Sequence, residues 1–401
     1  MTHASSPPVM PEANGDRNAM LDWFRTMRER WPINWLPERR LCHLFRYSDI
    51  LSVLADPATF SSNLRMAPDQ DIFRPFAKGN FLFMDAPRHR ELRGLVNQAF
   101  TARAIADKRP RIAAAANDLL DTLHEQPADL ATGFAYPLPT AIISDVLGIP
   151  AGERAQFHRW TDTFLTASRD AEIDNMFADA FVEAVRDSVA EMNAYLSDQV
   201  RQRRAAQRED LLGALVAAEV DGMRLDDEEI VGVVALLMQA GHSTTAMLIC
   251  NTLLALDDNP DAFAEVRARP ERLAAVVDEA MRFSVPTPET MRITTREVEL
   301  GGNTLPAGTV VVLWLASANR DETVFTEPDR FDPRRTPNPH IGFGQGVHFC
   351  LGSSLALQEA TVALETLLSR YSEIVVDRDA VEVYQTDSLL AVRRLPVFLR
   401  P

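Results

Sequence analysis

Only three cysteines, Cys42, Cys250 and Cys350, are spread through 401 residues. They are too few and too distant for a disulfide-held scaffold, so free thiols in a reducing compartment are expected. Basic charge is also in deficit, with 41 Lys and Arg against 57 Asp and Glu and a net charge of -16. Such a field repels phosphate and excludes a general nucleic-acid or anionic-membrane binder, leaving room only for local basic patches. Repeats, heptads and low-complexity tracts are missing, as is a GxGxxG opening a βαβ unit. The first twenty residues lack the apolar stretch of a secretory leader, which points to a cytoplasmic protein. One long run, Ile230 to Leu256, lacks Asp, Glu, Lys and Arg altogether. Acidic residues flank it on both sides and Gln239, His242, Ser243, Thr244 and Thr245 interrupt it, so a helix buried in a soluble core is expected rather than a membrane span.

What is present is ordinary globular material, with 46% hydrophobic and 24% charged residues. Residues 1–17 read as a flexible N-terminal segment and 18–401 as a single domain. Asn18 to Leu54 mixes helical spacing with Trp- and Pro-bearing turns, and Ser61 to Gly79 reads as a loop. From Arg88 to Arg282 nearly everything has helical spacing, including Arg88–Phe100, Ile112–Leu123, Ala155–Thr166, Asp174–Arg204 and Pro270–Phe283. The texture then alternates: RITTREVELGGNTLPAGTVVVLWL predicts a hairpin at Gly301-Gly302, and EIVVD, VEVYQ and LPVFL predict short strands. The fold class expected is mostly α with small β-sheets, an α+β body.

The densest chemical signal is HIGFGQGVHFCLGSSLALQEA, from His340 to Ala360, where Gly342, Gly344, Gly346 and Gly352 crowd around Cys350. Glycines let backbone approach a flat ligand, and a helix start after the cysteine favours its thiolate. The spacing Phe343-Gly344-x-Gly346-x-His348-x-Cys350-x-Gly352 resembles the haem-binding signature of the cytochrome P450 family. Four further segments match that family, each in its place along the chain. Glu279-Ala-Met-Arg282 resembles its ExxR pair, and Pro328-Asp329-Arg330-Phe331 the element whose arginine joins the pair. The resemblance makes Glu279, Arg282 and Arg330 a structural network, with Arg335 a neighbour. Asp85 to Arg93 resembles the segment entering a helix over the haem, although Ala86 replaces a proline and Arg88 an acid. Ala240-Gly241-His242-Ser243-Thr244-Thr245 resembles the oxygen-activation segment AGx(D/E)TT, with Ser243 in place of the acid.

The resemblance implies a single triangular cytochrome P450 fold, mostly helical, spanning residue 18 to the end. It implies haem b with Cys350 as the axial iron ligand, and His89, Arg93, Arg292 and His348 as propionate partners, with Ala240 and Gly352 also against the cofactor. Thr244 is the expected catalytic hydroxyl, with Gly241 and Ser243 beside it. Phe83, Leu236, Gln239 and Val285 are candidate substrate-pocket residues, and Gln239 hints at a polar group on the substrate. The implied activity is monooxygenation of a small, largely apolar molecule by O2, through hydroxylation or epoxidation in secondary metabolism. Electrons would come from NAD(P)H through separate partners, a ferredoxin and its reductase, to a monomer with no nucleic-acid or membrane partner. Arg103, Lys108, Arg109 and Arg111 form a basic cluster that suits an acidic ferredoxin. Two alternatives stay open: an atypical oxidation such as phenol coupling or desaturation, suggested by Ser243, and a haem-thiolate sensor without turnover.

Overall fold

The uncharged stretch folds as the body of one helix, Asp227–Asp257, in a computed structural model that describes residues 7–11, 17–63, 73–167, 179–220, 223–384 and 392–400. Its start is closed reciprocally: the Glu229 N–H donates to Asp226 Oδ1 at 2.8 Å and the Asp226 N–H to Glu229 Oε2 at 2.9 Å. That capping box satisfies two amides that the first turn would otherwise leave open, at the end where the helix dipole favours carboxylates. The helix is long and apolar enough to cross a membrane, but 72% of its most apolar window is buried inside the protein.

The chain divides into two compact units. The first comprises Met1–Leu64, Met247–Cys350 and Val381–Arg393. Its five-stranded sheet runs in the order Ile33–Leu36, Leu41–Leu44, Val310–Leu313, Thr290–Thr294, Phe60–Ser61. β-branched residues at Val310 to Val312 fill the central strand, and Val311 and Leu313 enter a core with Cys42, Leu44, Ile50, Val53 and Phe60. The expected hairpin is present as Val298–Leu300 paired with Asn303–Leu305. Both connecting glycines, Gly301 and Gly302, have positive φ, as a tight turn matched to the strand twist requires.

The second unit comprises Arg65–Ala246, Leu351–Ala380 and Arg394–Pro401. It is mainly helical, with a small three-stranded sheet in the order Glu373–Val376, Pro396–Arg400, Ala128–Asp129. Its core joins Ile230 to Met238 of the long helix to Leu92 and Val96, Ile143 and Leu147, Phe157 and Trp160, and Leu196 and Val200. Each set comes from one face of a helix, in the order Arg88–Asn97, Pro137–Leu147, Arg154–Ala167 and Asp179–Ala205.

Several expectations are corrected at their edges. Ser61 to Gly79 is not a loop throughout: Phe60–Ser61 is a strand and Arg74–Gly79 a helix, while 64–72 lie outside the described residues. Helical periodicity cannot show in so short a helix, and a tertiary contact sets its position. A Cβ on Gly79 would lie 2.3 Å from the Glu229 carbonyl oxygen, and one on Gly232 only 1.9 Å from the Pro75 oxygen. Only two facing glycines allow the backbones this approach. The helix expected over Asp174–Arg204 runs from Asp179 to Ala205, with 168–178 outside the described residues. Of the N-terminal segment, 1–6 and 12–16 lie outside them too, and a helix begins at Arg17.

Candidate functional site

In the first unit, the glycine-rich stretch makes successive tight turns toward Cys350. Gly344 and Gly346 sit at φ +70° and +74°, conformations that L side chains rarely adopt. The Gly344 N–H donates to the Ile341 carbonyl at 2.9 Å and the Cys350 N–H to the Phe343 carbonyl at 2.8 Å, so the loop is pinned to itself around the thiol. A Cβ on Gly342 would meet the Met281 side chain at 2.9 Å, which leaves glycine as the residue that fits. Cys350 is exposed, whereas Cys42 and Cys250 are buried, and burial pushes the Cys42 thiol up to about 12. Among three thiols, Cys350 is therefore the one open to a ligand. The helix Ser353–Arg370 follows, with Gly352 at its N-cap.

Behind the loop lies a buried ion-pair network on the helix Leu273–Phe283. Arg282 grips Glu279 with two parallel bonds of 2.8 Å, both side chains fully enclosed. Its remaining donors reach the main-chain carbonyls of Asn319 at 2.9 Å, Pro328 at 2.8 Å and Arg330 at 3.1 Å. Glu279 also accepts the Asp332 N–H at 2.9 Å and Arg335 Nε at 3.4 Å. The expectation for Arg330 is corrected here. Its carbonyl joins the network, but its side chain is 63% exposed and pairs with Glu327 at 3.1 Å. The turn at Glu327, which has positive φ, aims backbone inward and leaves that side chain in solvent. Arg335, whose side chain is 10% exposed, supplies the second guanidinium instead.

Arg292 is buried on the strand Thr290–Thr294, opposite Val311, with Nη1 donating to the Met291 carbonyl at 2.6 Å. His348 is half-buried on the 3-10 turn Gly346–His348, and Val285 is fully buried after the ExxR helix.

In the second unit, the helix Arg88–Asn97 carries His89 and Arg93 four residues apart. His89 is buried, and burial followed by the Arg93 charge holds its imidazole below the usual range, so it favours the neutral form. Arg88, where the family pattern has an acid, pairs with Glu91 at 2.8 Å and with Glu229 of the long helix. Lys78 joins the same helix start through Asp226 at 3.0 Å and Glu228 at 2.6 Å. Ala86 is exposed on the turn before this helix.

Along the long helix, burial is broken at one place. Leu236 is buried, but Gln239, Ala240, Ser243 and Thr244 are accessible in whole or part, on one face by their three- and four-residue spacing. The Thr244 hydroxyl donates to the Ala240 carbonyl at 2.8 Å. His242 turns the other way and lies against Tyr136, with ring centroids 5.6 Å apart. Gly241 packs no closer than ordinary contact with Ile143. The Gln239 amide nitrogen is buried without a hydrogen-bond partner among the described residues. Phe83 ends the turn Phe81–Phe83 and is half-buried.

Of the basic cluster, Arg109 is paired with Glu365, and Arg111 with Asp145 at 2.5 Å. Arg103 is exposed on its helix and Lys108 is half-buried.

The sequence profile of the family described as Cytochrome P450 matches residues 17–399. The chain belongs to the cytochrome P450 family. It is 39% identical over 380 residues to the cyclomarin C epoxidase CymV of Salinispora arenicola, covering 94% of this chain and 95% of that protein. To the erythromycin C-12 hydroxylase of Saccharopolyspora erythraea it is 38% identical, covering 95% of each. Among solved structures, the open P450 EryK from S. erythraea superposes with a TM-score of 0.88 at 37% identity over 98% of both chains. The ligand-free P450 TbtJ1 does so with 0.87 at 39%, covering 98% of this chain and 100% of the other. This P450 is a haem-thiolate monooxygenase that acts on small molecules with electrons from redox partners. In each unit the residues present suit the family's haem: in the first, an exposed thiol in a glycine cradle with Arg292 and His348, and in the second, His89, Arg93 and an accessible strip, with an amide unpartnered among the described residues, on an otherwise buried helix.

Sequence reasoning passed over a pair that the structure ties to the cysteine loop and a buried acid elsewhere. His340 opens the cysteine motif, and Asp278 precedes Glu279; a histidine and an acid 62 residues apart carried no signal until the fold brought them together. Glu359, on the helix after the cysteine, is buried, with Oε2 unpartnered among the described residues, and burial pushes its carboxyl up to about 8.

Proposed function

We propose that the chain hydroxylates or epoxidises a small, largely apolar organic molecule of secondary metabolism, with haem b held by Cys350 and O2 as co-substrate. Bound haem would supply the oxygen-activating iron, and a thiolate ligand from Cys350 would favour O–O cleavage. The single observation that carries this reading is the exposed Cys350 thiol in a loop whose backbone is tied to Phe343. Arg93 and Arg292 would neutralise the propionates, which would otherwise be costly to desolvate, and His89 and His348 would donate hydrogen bonds to them. Ala240, Gly241 and Gly352 bring main chain close to the cofactor. The Thr244 hydroxyl can exchange its bond to the Ala240 carbonyl for one to water, and so hold a proton there; Ser243, a hydroxyl where the family pattern has a carboxylate, would relay more weakly than that acid.

Leu236, Phe83 and Val285 offer apolar contact to substrate, and the Gln239 amide donates to an oxygen on it. Residues 18–401 act as one functional domain, a cytoplasmic monomer reduced by a ferredoxin and its NAD(P)H-dependent reductase. A substrate library scored by the spin-state change of the haem spectrum tests the substrate class; hits confined to charged or wholly polar compounds would overturn it. Ser243 favours a second reading, an atypical oxidation such as phenol coupling or desaturation, which product analysis separates from oxygen insertion.

A further inference from the structure

The loop that bears Cys350 is held from outside as well as by its own turns. Asp278, on the helix Leu273–Phe283, accepts from Asn338 Nδ2 at 2.8 Å and lies 3.2 Å from His340 Nε2. The other ring nitrogen, His340 Nδ1, accepts the Gly342 N–H at 3.3 Å. With Nδ1 accepting, Nε2 is the donor toward Asp278, so the imidazole bridges a carboxylate and a loop amide. Burial alone would raise Asp278, but the His340 and Asn338 contacts hold it below the usual carboxylate range, ionised to receive that proton. The His340 side chain is 7% exposed and its ring lies 5.9 Å from that of Phe343, which lies 6.2 Å from that of Phe349. Phe343 is the residue whose carbonyl receives the Cys350 N–H. One helix therefore presents Asp278 to the cysteine loop, Met281 to Gly342, and Glu279 to Asp332 and Arg335.

We infer that Asp278 and His340 form a positioning pair that fixes Gly342 and Phe343 and thereby keeps the Cys350 thiolate in ligating geometry. The inference rests on the reading of Cys350 as the iron ligand. Neither residue touches the reacting atoms. Their effect is on which form of the sulfur the loop presents, and a merely structural pair on the surface would not move that.

The test compares holoenzyme of the wild type with Asp278→Ala, His340→Ala, His340→Asn and Cys350→His. Two quantities are read: the rate at which the reduced carbonyl complex loses its red-shifted thiolate band on mild heating, and hydrogen exchange of the Gly342 amide. Asp278→Ala and His340→Ala should lose the band about tenfold faster, the scale expected for one charge-assisted hydrogen bond, with the far-ultraviolet circular dichroism unchanged. His340→Asn keeps an acceptor at the place of Nδ1, so it should retain Gly342 protection and fall between wild type and His340→Ala. Wild-type band lifetimes in both alanine variants would overturn the pairing while leaving the Cys350 reading intact. A wild type without the thiolate band, or one whose band survives Cys350→His, would overturn both. If His340→Ala does not fold, Asp278→Ala and His340→Asn decide: wild-type band loss in the first, or unprotected Gly342 with wild-type band loss in the second, sinks the pair.

Discussion

Around the cysteine loop, side chains are tied to partners distant in sequence, whereas at Gln239 and Thr244, on the accessible face of the long helix, the side-chain hydrogen bonds are local or, among the described residues, missing. Arg282 reaches Asn319, Pro328 and Arg330, and Asp278 reaches His340. Thr244, by contrast, bonds only one turn back, and the Gln239 amide has no partner among the described residues. The difference follows from task. A ligand must be preset, and buried bidentate pairs preset it at a high penalty for losing either half. A group that handles protons must change partners, and a neutral bond worth about 1 kcal/mol net can be exchanged during turnover.

The largest expected effects are on the fixed side. Arg282→Ala removes the bidentate partner of the buried Glu279 and leaves it only the longer Arg335 contact and the Asp332 N–H, which should cost about 3–5 kcal/mol in urea unfolding, with haem retention lost. Arg330→Ala removes only a solvent-facing guanidinium and should stay within about 0.5 kcal/mol, because its carbonyl remains. Equal losses in the two variants would break the distinction drawn between side chain and carbonyl.

On the exchanging side, Thr244→Ala should divert electrons into peroxide, while Ser243→Ala changes product formed per NAD(P)H by a few-fold, as one hydrogen bond of about 1 kcal/mol allows. If Ser243→Ala uncouples as severely, the serine is the relay and the roles on this helix reverse.

Glu359 adds a pH signature. Its carboxyl is raised from 4.5 to about 8 by burial, so between those values the folded state holds a proton that the unfolded chain releases. Stability from this residue is fully present below pH 4.5 and is lost as pH rises toward 8. Glu359→Gln, measured by thermal unfolding across that window, should flatten this fall; an unchanged slope would place the carboxyl in contact with a neutralising partner.

The smallest effect belongs to the basic cluster. Since Arg109 and Arg111 already have carboxylate partners, reversing Arg103 and Lys108 should slow ferredoxin reduction of the iron modestly and flatten its salt dependence. Rates unaffected at every ionic strength would remove this patch from partner docking.

Legibility in the sequence followed the same divide. The cysteine loop, the ExxR pair and the glycine hairpin were readable because each depends on residue types at fixed short spacing, where glycine or an i, i+3 pair is physically required. Whatever depends on long-range geometry was not. Nothing in PDRF and its neighbours indicates that Arg330 turns outward while Arg335 turns in, because a turn at Glu327 decides it. The Arg74–Gly79 helix is too short for a period and owes its position to Gly232, far along the chain. Arg88 reads as a departure from the pattern until Glu229 is found opposite it.

The account depends most on which sulfur holds the iron. The reduced carbonyl spectrum of Cys350→His, set beside Cys42→Ala and Cys250→Ala, measures this directly. The red-shifted thiolate band should vanish in Cys350→His, with some haem retained, and persist in the other two, whose thiols are buried. A band that survives in Cys350→His, or disappears with Cys42 or Cys250, would contradict the assignment.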